Sequence, residues 1–222
     1  MATEDQPRDT PDVGLSARRV VAEAIRMADR EGVDRLSMRR LASALDAGAM
    51  SLYHYVANKE ALLDAMIEVV LAEIELPSGE MDWQAAMRQR AVSARGAFAR
   101  HRWAIGLVES RTSPGPANLR YHEALASCLR RAGFGVLAAT HAGWVLDSYL
   151  YGFVLQEASL PFATADELAD TYLPQLPADE FPYLQESAAA LVAARFDPAE
   201  EFLVGLDLIL GALEPLRVPE SS

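Results

Sequence analysis

Between Ala49 and Val56 the chain crowds Met50, Ser51, Tyr53, His54 and Tyr55 around two aliphatic positions, Leu52 and Val56, four residues apart. That spacing turns both aliphatics to one face of a helix and leaves Ala49, Met50, Ser51, Tyr53, His54 and Tyr55 facing elsewhere. Two tyrosines and a histidine held off a core offer rings, hydroxyls and an imidazole to a partner, which few amphipathic core helices do. The remaining polar residues carry no catalytic pattern. The four histidines, His54, His101, His122 and His141, lack metal-ligand spacing. No glycine-rich phosphate loop follows a strand and no nucleophile elbow is present, so no catalytic residue, cofactor or metal is assigned and an enzyme is not the expected class.

The elements that position this tip lie between Leu36 and Leu63. Ser37 is a good N-cap for a helix with Leu41, Ala42 and Leu45 on one face, and Asp46-Ala47-Gly48 supplies a chain reversal before the second helix, Ala49 to Val56. Two short helices around a tight turn make a helix-turn-helix candidate. Ahead of them Ser16 caps a helix to about Glu31, with Val20, Val21, Ala24, Ile25 and Ala28 as its buried stripe and Gly32 as its stop. Behind them Asn58 caps a longer helix to about Leu76, which Pro77-Ser78-Gly79 ends. Residues 1–14 are rich in Asp, Pro and Thr and read as a disordered leader.

The chain has 222 residues, 51% of them hydrophobic, enough to bury a core. No apolar run reaches the roughly 18 residues needed to span a bilayer and no signal-peptide segment precedes the first helix, so a cytoplasmic protein is expected. Cys128, the only cysteine, cannot form an intrachain disulfide and reads as a small buried hydrophobe. The net charge of −12 argues against a polyanionic partner until its distribution is considered. Residues 15–60 hold eight basic against six acidic residues, a net of +2, whereas from Ala61 onward eleven arginines face twenty-two acids. The acidic excess would repel DNA from the wrong surface.

The pattern beyond Gly79 stays helical: Trp83 to His101, Trp103 to Ser110, and Ala117 to Ala132 after the breaker run 112–116. Val136 to Glu157 is apolar on almost every side, which predicts burial against several neighbours, as core or interface. Leu160 to Pro182 carries four prolines and reads as an irregular excursion with a short helix near Ala165 to Tyr172. Asp197, Pro198 and Glu200 form a strong helix start, followed by an apolar stripe of Phe202, Leu206, Ile209, Leu210 and Leu213. Gly205 and Ala212 would let another helix approach. With 136–157 this last helix either completes an intersubunit four-helix bundle or buries the chain's own core.

The block SMRRLASALDAGAMSLYHYVANKEALLDAM resembles the N-terminal signature of the TetR family of transcriptional regulators: Ser and a basic residue, Leu-Ala, a turn, Leu-Tyr, an aromatic pair, Val, Asn-Lys and Leu-Leu. MDWQAAMRQRAVSARGAFARHR and LRRAGFGVLAATHAGWVLDSYLYGFVLQE look like the regulatory core of the tetracycline-repressor branch. The resemblance implies an all-α chain: a three-helix head over 15–62, joined by a linking helix to a larger ligand-binding and dimerisation domain over 63–222. It implies a homodimer, through helices 136–157 and 198–213, whose heads enter successive major grooves of a palindromic DNA operator. A small-molecule effector would release it, which makes it a repressor.

By position, the family places Arg39, Ala49, Met50, Ser51, His54 and Tyr55 near base edges, and Ser37, Tyr53 and Lys59 near phosphates. Lys59 is the only lysine and opens a helix, where the macrodipole disfavours a cation and a phosphate partner would explain it. Arg39 suits a bidentate contact with guanine or a backbone contact, and His54 and Tyr55 could instead pack beneath the helix. Asp46 stands where the family usually has glycine and tolerates the left-handed conformation; Met50, at a position usually small or proline, fits a thymine methyl. The effector pocket would be lined by Trp103, Leu107, Arg111, His122, Trp144, Asp147 and Tyr151, all of which are also compatible with plain core. No histidine matches the metal-chelate position of the tetracycline repressor, so tetracycline with magnesium is not the implied ligand. A helical protein-interaction module without operator specificity is the rival reading.

Overall fold

The computed structural model describes residues 15–78, 81–111 and 114–217, so the leader expected over 1–14 lies outside the described residues. Helices dominate, and among the described residues the one extended pairing is an isolated bridge between Phe134 and Arg217. The chain forms two compact units that divide between Met66 and Ile67.

The first unit begins with α1 (Ala17–Glu31), whose cap Ser16 accepts the Arg19 N–H at 3.2 Å and whose stop, Gly32, adopts φ 84°. α2 (Met38–Ala44) starts where the Ser37 hydroxyl accepts the Arg40 N–H at 3.3 Å. It ends in a reversal with Asp46 at φ 52°, a conformation that aspartate tolerates. α3 is shorter than expected. It spans Ala49–Leu52, and the backbone then tightens, with Tyr53 bonding to Met50 and Tyr55 to Leu52, three residues back. Leu36, Leu41, Leu45, Leu52 and Val56 are buried with Leu62, Leu63 and Met66 of α4 (Lys59–Ala72). Each fully buried leucine contributes about 2 kcal/mol, so this small core is what holds the turn. Asn58 caps α4 through the Ala61 N–H at 2.8 Å. α4 stops at Ala72 instead of continuing to Leu76: the Glu73 and Ile74 N–H groups bond three residues back, and the Glu75 N–H donates to Ser93 Oγ at 2.9 Å.

In the second unit α5 (Trp83–Arg100) packs against α7 (Pro116–Arg131), α8 (Val136–Ser159) and α11 (Pro198–Leu213), with α6 (Ala104–Ser110) between α5 and α7 in sequence. Glu68 on the second half of α4 accepts the Ala117 N–H at 2.7 Å, satisfying a donor of the first turn of α7. Cys128 is buried as expected, and burial pushes its thiol up, against a smaller downward pull from Arg131. α9 (Ala165–Glu167) continues through a π-helical turn over Leu168–Tyr172. α10 (Pro182–Ala193) was not anticipated. α9 and α10 pack on one another around Leu168, with Phe162 against Tyr172 and Phe196.

Within the chain α8 is buried on one face only, as the interface reading of 136–157 allows. Ala139, Ala142, Leu146, Leu150 and Val154 face the core, but Leu137, Trp144, Val145 and Leu155 are exposed, as are Val204 and Leu208 on α11. Gly205 lets α8 approach α11 closely, as its spacing predicts. A Cβ there would collide with the ring and hydroxyl of Tyr149, whose O–H donates to the Phe202 carbonyl at 2.8 Å. The close approach is thus within the chain. Gly205→Ala should lower stability by about 1–3 kcal/mol through overpacking, while Gly106→Ala, at a helical glycine with open space around it, should raise it by about 0.5–1 kcal/mol. Urea denaturation of both variants checks the pair.

Candidate functional site

The exposed tip of the first unit follows from its turn chemistry. With Leu52 and Val56 buried, Met50 is 77% exposed and Ala49, Ser51, Tyr53, His54 and Tyr55 are exposed around it. His54 and Tyr55 therefore lie on the surface and do not pack beneath the helix. Neighbouring arginines divide their tasks. Arg40 is held by the Glu31 carboxylate and donates to the Arg35 carbonyl at 2.9 Å, and its hydrogen bond keeps the Glu31 carboxyl below its ordinary range. Arg39 is exposed with no carboxylate partner among the described residues, and Lys59 at the start of α4 likewise has none. Ser37, engaged as a cap acceptor, keeps its hydroxyl proton for another partner. Apolar, hydroxyl, imidazole and cationic groups are thus exposed or half-exposed on a unit whose interior is already satisfied.

The second unit holds a recess of about 380 Å³ between α7 and α8, within the range of small-molecule sites. His122, Leu125 and Ala126 line one wall; Ala139, Thr140, Gly143, Trp144 and Asp147 line the other. Both sets follow helical spacing. The helices close up where a Cβ at Gly143 would lie 3.3 Å from Leu125 Cδ2. Asp147 is the anchor of a buried network. Arg90 from α5, 1% exposed, hydrogen-bonds to Asp147 Oδ1 and to the Tyr121 hydroxyl, and its guanidinium carbon lies 4.2 Å from the Tyr121 ring centroid. Burial opposes the charge on Arg90, but the Tyr121 oxygen and the Asp147 carboxylate outweigh it and hold the guanidinium protonated. Burial also drives the Tyr121 and Tyr151 hydroxyls up, so both stay neutral donors.

Of the seven residues expected to line a pocket, His122, Trp144 and Asp147 line this recess. Tyr151 sits behind it, edge-on to Phe98 with centroids 5.8 Å apart. Trp103 and Leu107 pack partly buried against the core, Trp103 also beside His101, and Arg111 lies half-buried just past α6. Sequence reasoning missed Arg90. Its signal was an arginine at the helical repeat of Trp83, Met87, Ala94, Ala97 and Phe98, an apolar stripe on which a charge needs a buried partner.

Residues 20–66 match the family of bacterial regulatory proteins of the tetR type, and residues 76–216 match the tetracyclin repressor-like C-terminal domain. The chain belongs to the TetR family. Among its relatives, the HTH-type transcriptional repressor DrrR1 of Streptomyces coeruleorubidus is 32% identical over 96% of this chain and 83% of its own length. The class C tetracycline repressor of Escherichia coli is 30% identical over 92% of this chain and 93% of its own. The Streptomyces coelicolor TetR family protein ActR, solved in complex with actinorhodin, is 33% identical, with a TM-score of 0.71 covering 91% of this chain and 98% of that one. TetR-family repressors of this kind are ligand-responsive DNA-binding regulators, and this chain is a transcriptional regulator of that class. No helix of the described residues is long and apolar enough to cross a membrane, and no cluster of metal ligands is found among them.

The Arg90–Asp147 pair yields a test by substitution. Arg90→Met or Asp147→Leu alone should destabilise the chain by about 3–5 kcal/mol by stranding a buried charge, whereas the double variant should recover most of the loss. Chemical denaturation of the three variants measures the coupling.

Proposed function

We propose that the chain is a repressor that binds a palindromic operator as a cytoplasmic homodimer, without enzymatic activity, and is released when a small molecule enters the recess between α7 and α8. The observation that carries this reading is the tip around Met50, exposed on an otherwise packed unit whose residues 15–60 carry net positive charge in a strongly acidic chain. Arg39, Ala49, Met50, Ser51, His54 and Tyr55 are assigned to base edges in the major groove, with Met50 against a thymine methyl. Ser37, Tyr53 and Lys59 are assigned to phosphates, where they set register and not sequence.

The dimer is assigned to the exposed faces of α8 and α11. Leu137, Val145 and Leu155, with Val204 and Leu208, would leave a large apolar surface in water on a monomer, and two copies of the helix pair make a four-helix bundle. His122, Trp144 and Asp147 are assigned to the effector, with Trp103, Leu107, Arg111 and Tyr151 as flanking groups. The complex of ActR with actinorhodin makes that compound the first to try on this chain.

DNA selected by the protein from a random pool should carry two inverted half-sites with centres about one helical turn apart. On that DNA, Lys59→Ala should weaken specific and random binding alike and reduce the salt slope by about one, whereas Met50→Ala should cost about 1–3 kcal/mol on the selected site only. Selection that yields no consensus would favour the interaction-module reading. Light scattering should give a dimer mass for the wild type and a monomer mass for the Val204→Glu, Leu208→Glu double variant; a wild-type monomer at micromolar concentration would remove the bundle.

A further inference from the structure

α7 begins without a cap of its own. Gly115 stands at its N-cap with no side chain to accept from the first turn, and Pro116 at the first helical position has no N–H to give. The Ala117 N–H is left over, and the Glu68 carboxylate of α4 accepts it at 2.7 Å. Glu68 thus does from another helix what a capping residue does within one, with its charge at the positive end of the α7 dipole. Gly115 is what admits it. At φ −80° and ψ 175° its backbone is one that any residue before a proline adopts, so the turn itself does not require glycine. A Cβ at this position would instead lie 2.2 Å from Glu68 Oε1 and 2.6 Å from the carboxyl carbon. The obstacle is the far end of a flexible side chain, so an added methyl displaces the carboxylate with little change to either backbone.

The bond joins two elements with different duties. α4 starts at Lys59 in the first unit and ends at Ala72 in the second, while α7 carries His122, Leu125 and Ala126 of the recess. Further ties of this stretch lead to α5: Glu73 accepts from Arg100 at 2.7 Å and faces His101 Nε2 at 3.3 Å, and Glu75 bonds to Ser93. Those lie past the last turn of α4. Glu68 grips the helix within its regular part.

We propose that Glu68 is a positioning residue: by capping α7 it fixes α4 against that helix, and so sets the separation of half-sites that the dimer accepts. This rests on the operator-binding homodimer proposed above. A carboxylate that accepts a backbone N–H makes a short, charge-assisted bond, which holds direction as well as distance. An α4 free to shift on α7 lets a pair of heads meet several spacings with similar affinity.

The probes are the duplex that the wild-type chain selects from a random pool and the same duplex lengthened or shortened by one base pair between its half-sites. The readout is the ratio of affinities for selected and altered duplexes, which does not depend on how much of a sample is folded. The wild type should favour the selected spacing by about tenfold or more. Glu68→Ala should bring the ratio down to about threefold or less, and Gly115→Ala should do the same from the α7 side by displacing the carboxylate. Adding Gly115→Ala to Glu68→Ala should change nothing further, because the bond is already gone. Glu68→Gln, whose amide oxygen can accept the same N–H, should retain most of the preference. If Glu68→Ala does not fold, Gly115→Ala still decides. A ratio unchanged in both single variants, a further drop in the double, or a Glu68→Gln as relaxed as Glu68→Ala overturns the role of Glu68 and leaves the operator reading intact. A wild type that selects no site, or that accepts all spacings equally, overturns the dimeric operator reading and the proposal with it.

Discussion

The second unit depends on a single buried charge. Arg90 lies within an apolar stripe of α5, and a guanidinium with 1% exposure is tolerable only if its desolvation is offset at close quarters. Asp147 from α8 and the hydroxyl and ring of Tyr121 from α7 supply that compensation, so the register of three helices is tied to one side chain. Arg90 Nε is buried without a hydrogen-bond partner among the described residues, which makes the rest of the network costlier to lose. Hydrophobic packing of Phe98, Leu125, Leu146 and Leu150 supplies most of the stabilisation but tolerates sliding. The ion pair is satisfied only where α5, α7 and α8 bring Arg90, Tyr121 and Asp147 together.

The same interaction shapes the site. Arg90 engages one oxygen of Asp147, and a carboxylate that holds the core also lines a recess whose other polar groups are His122 and Thr140. The first unit works in the opposite sense. Its leucines and valines satisfy one another completely, and its capping residues satisfy the helix ends, so Met50, Tyr53, His54, Tyr55, Arg39 and Lys59 have no structural duty and remain available. A buried charge orders the second unit, while the first leaves exposed groups with little role in stability, to which contact with DNA is assigned as a proposal.

What the sequence disclosed follows from the range of the forces involved. Caps at Ser16, Ser37, Asn58 and Asp197, the stop at Gly32 and the left-handed Asp46 are settled within four residues of chain, and each stands as read. The pair Leu52 and Val56 likewise fixed the exposed tip, although the helix around them shortens where its bonds slip from four residues to three. Long-range effects were less legible. The bond from Glu75 to Ser93 lies past the early end of α4, and Tyr149 fills the space at Gly205. α10 begins behind Pro182 with no side-chain cap and was passed over. The exposed face of α8 looks the same in sequence as the buried one. His122, Trp144 and Asp147 were named from their positions, but Arg90 was not, because a lone arginine reveals burial only once its partner from another helix is known.

The most direct measurement is a fluorescence anisotropy titration of the full chain with duplex DNA from immediately upstream of its own coding sequence, against random duplex of equal length, at physiological salt. A sequence-specific TetR-family regulator should prefer a site there by about a thousandfold or more, and the preference should survive added salt while non-specific binding falls away. Equal affinity for the two duplexes, lost together as salt rises, would contradict specific operator recognition by the tip around Met50.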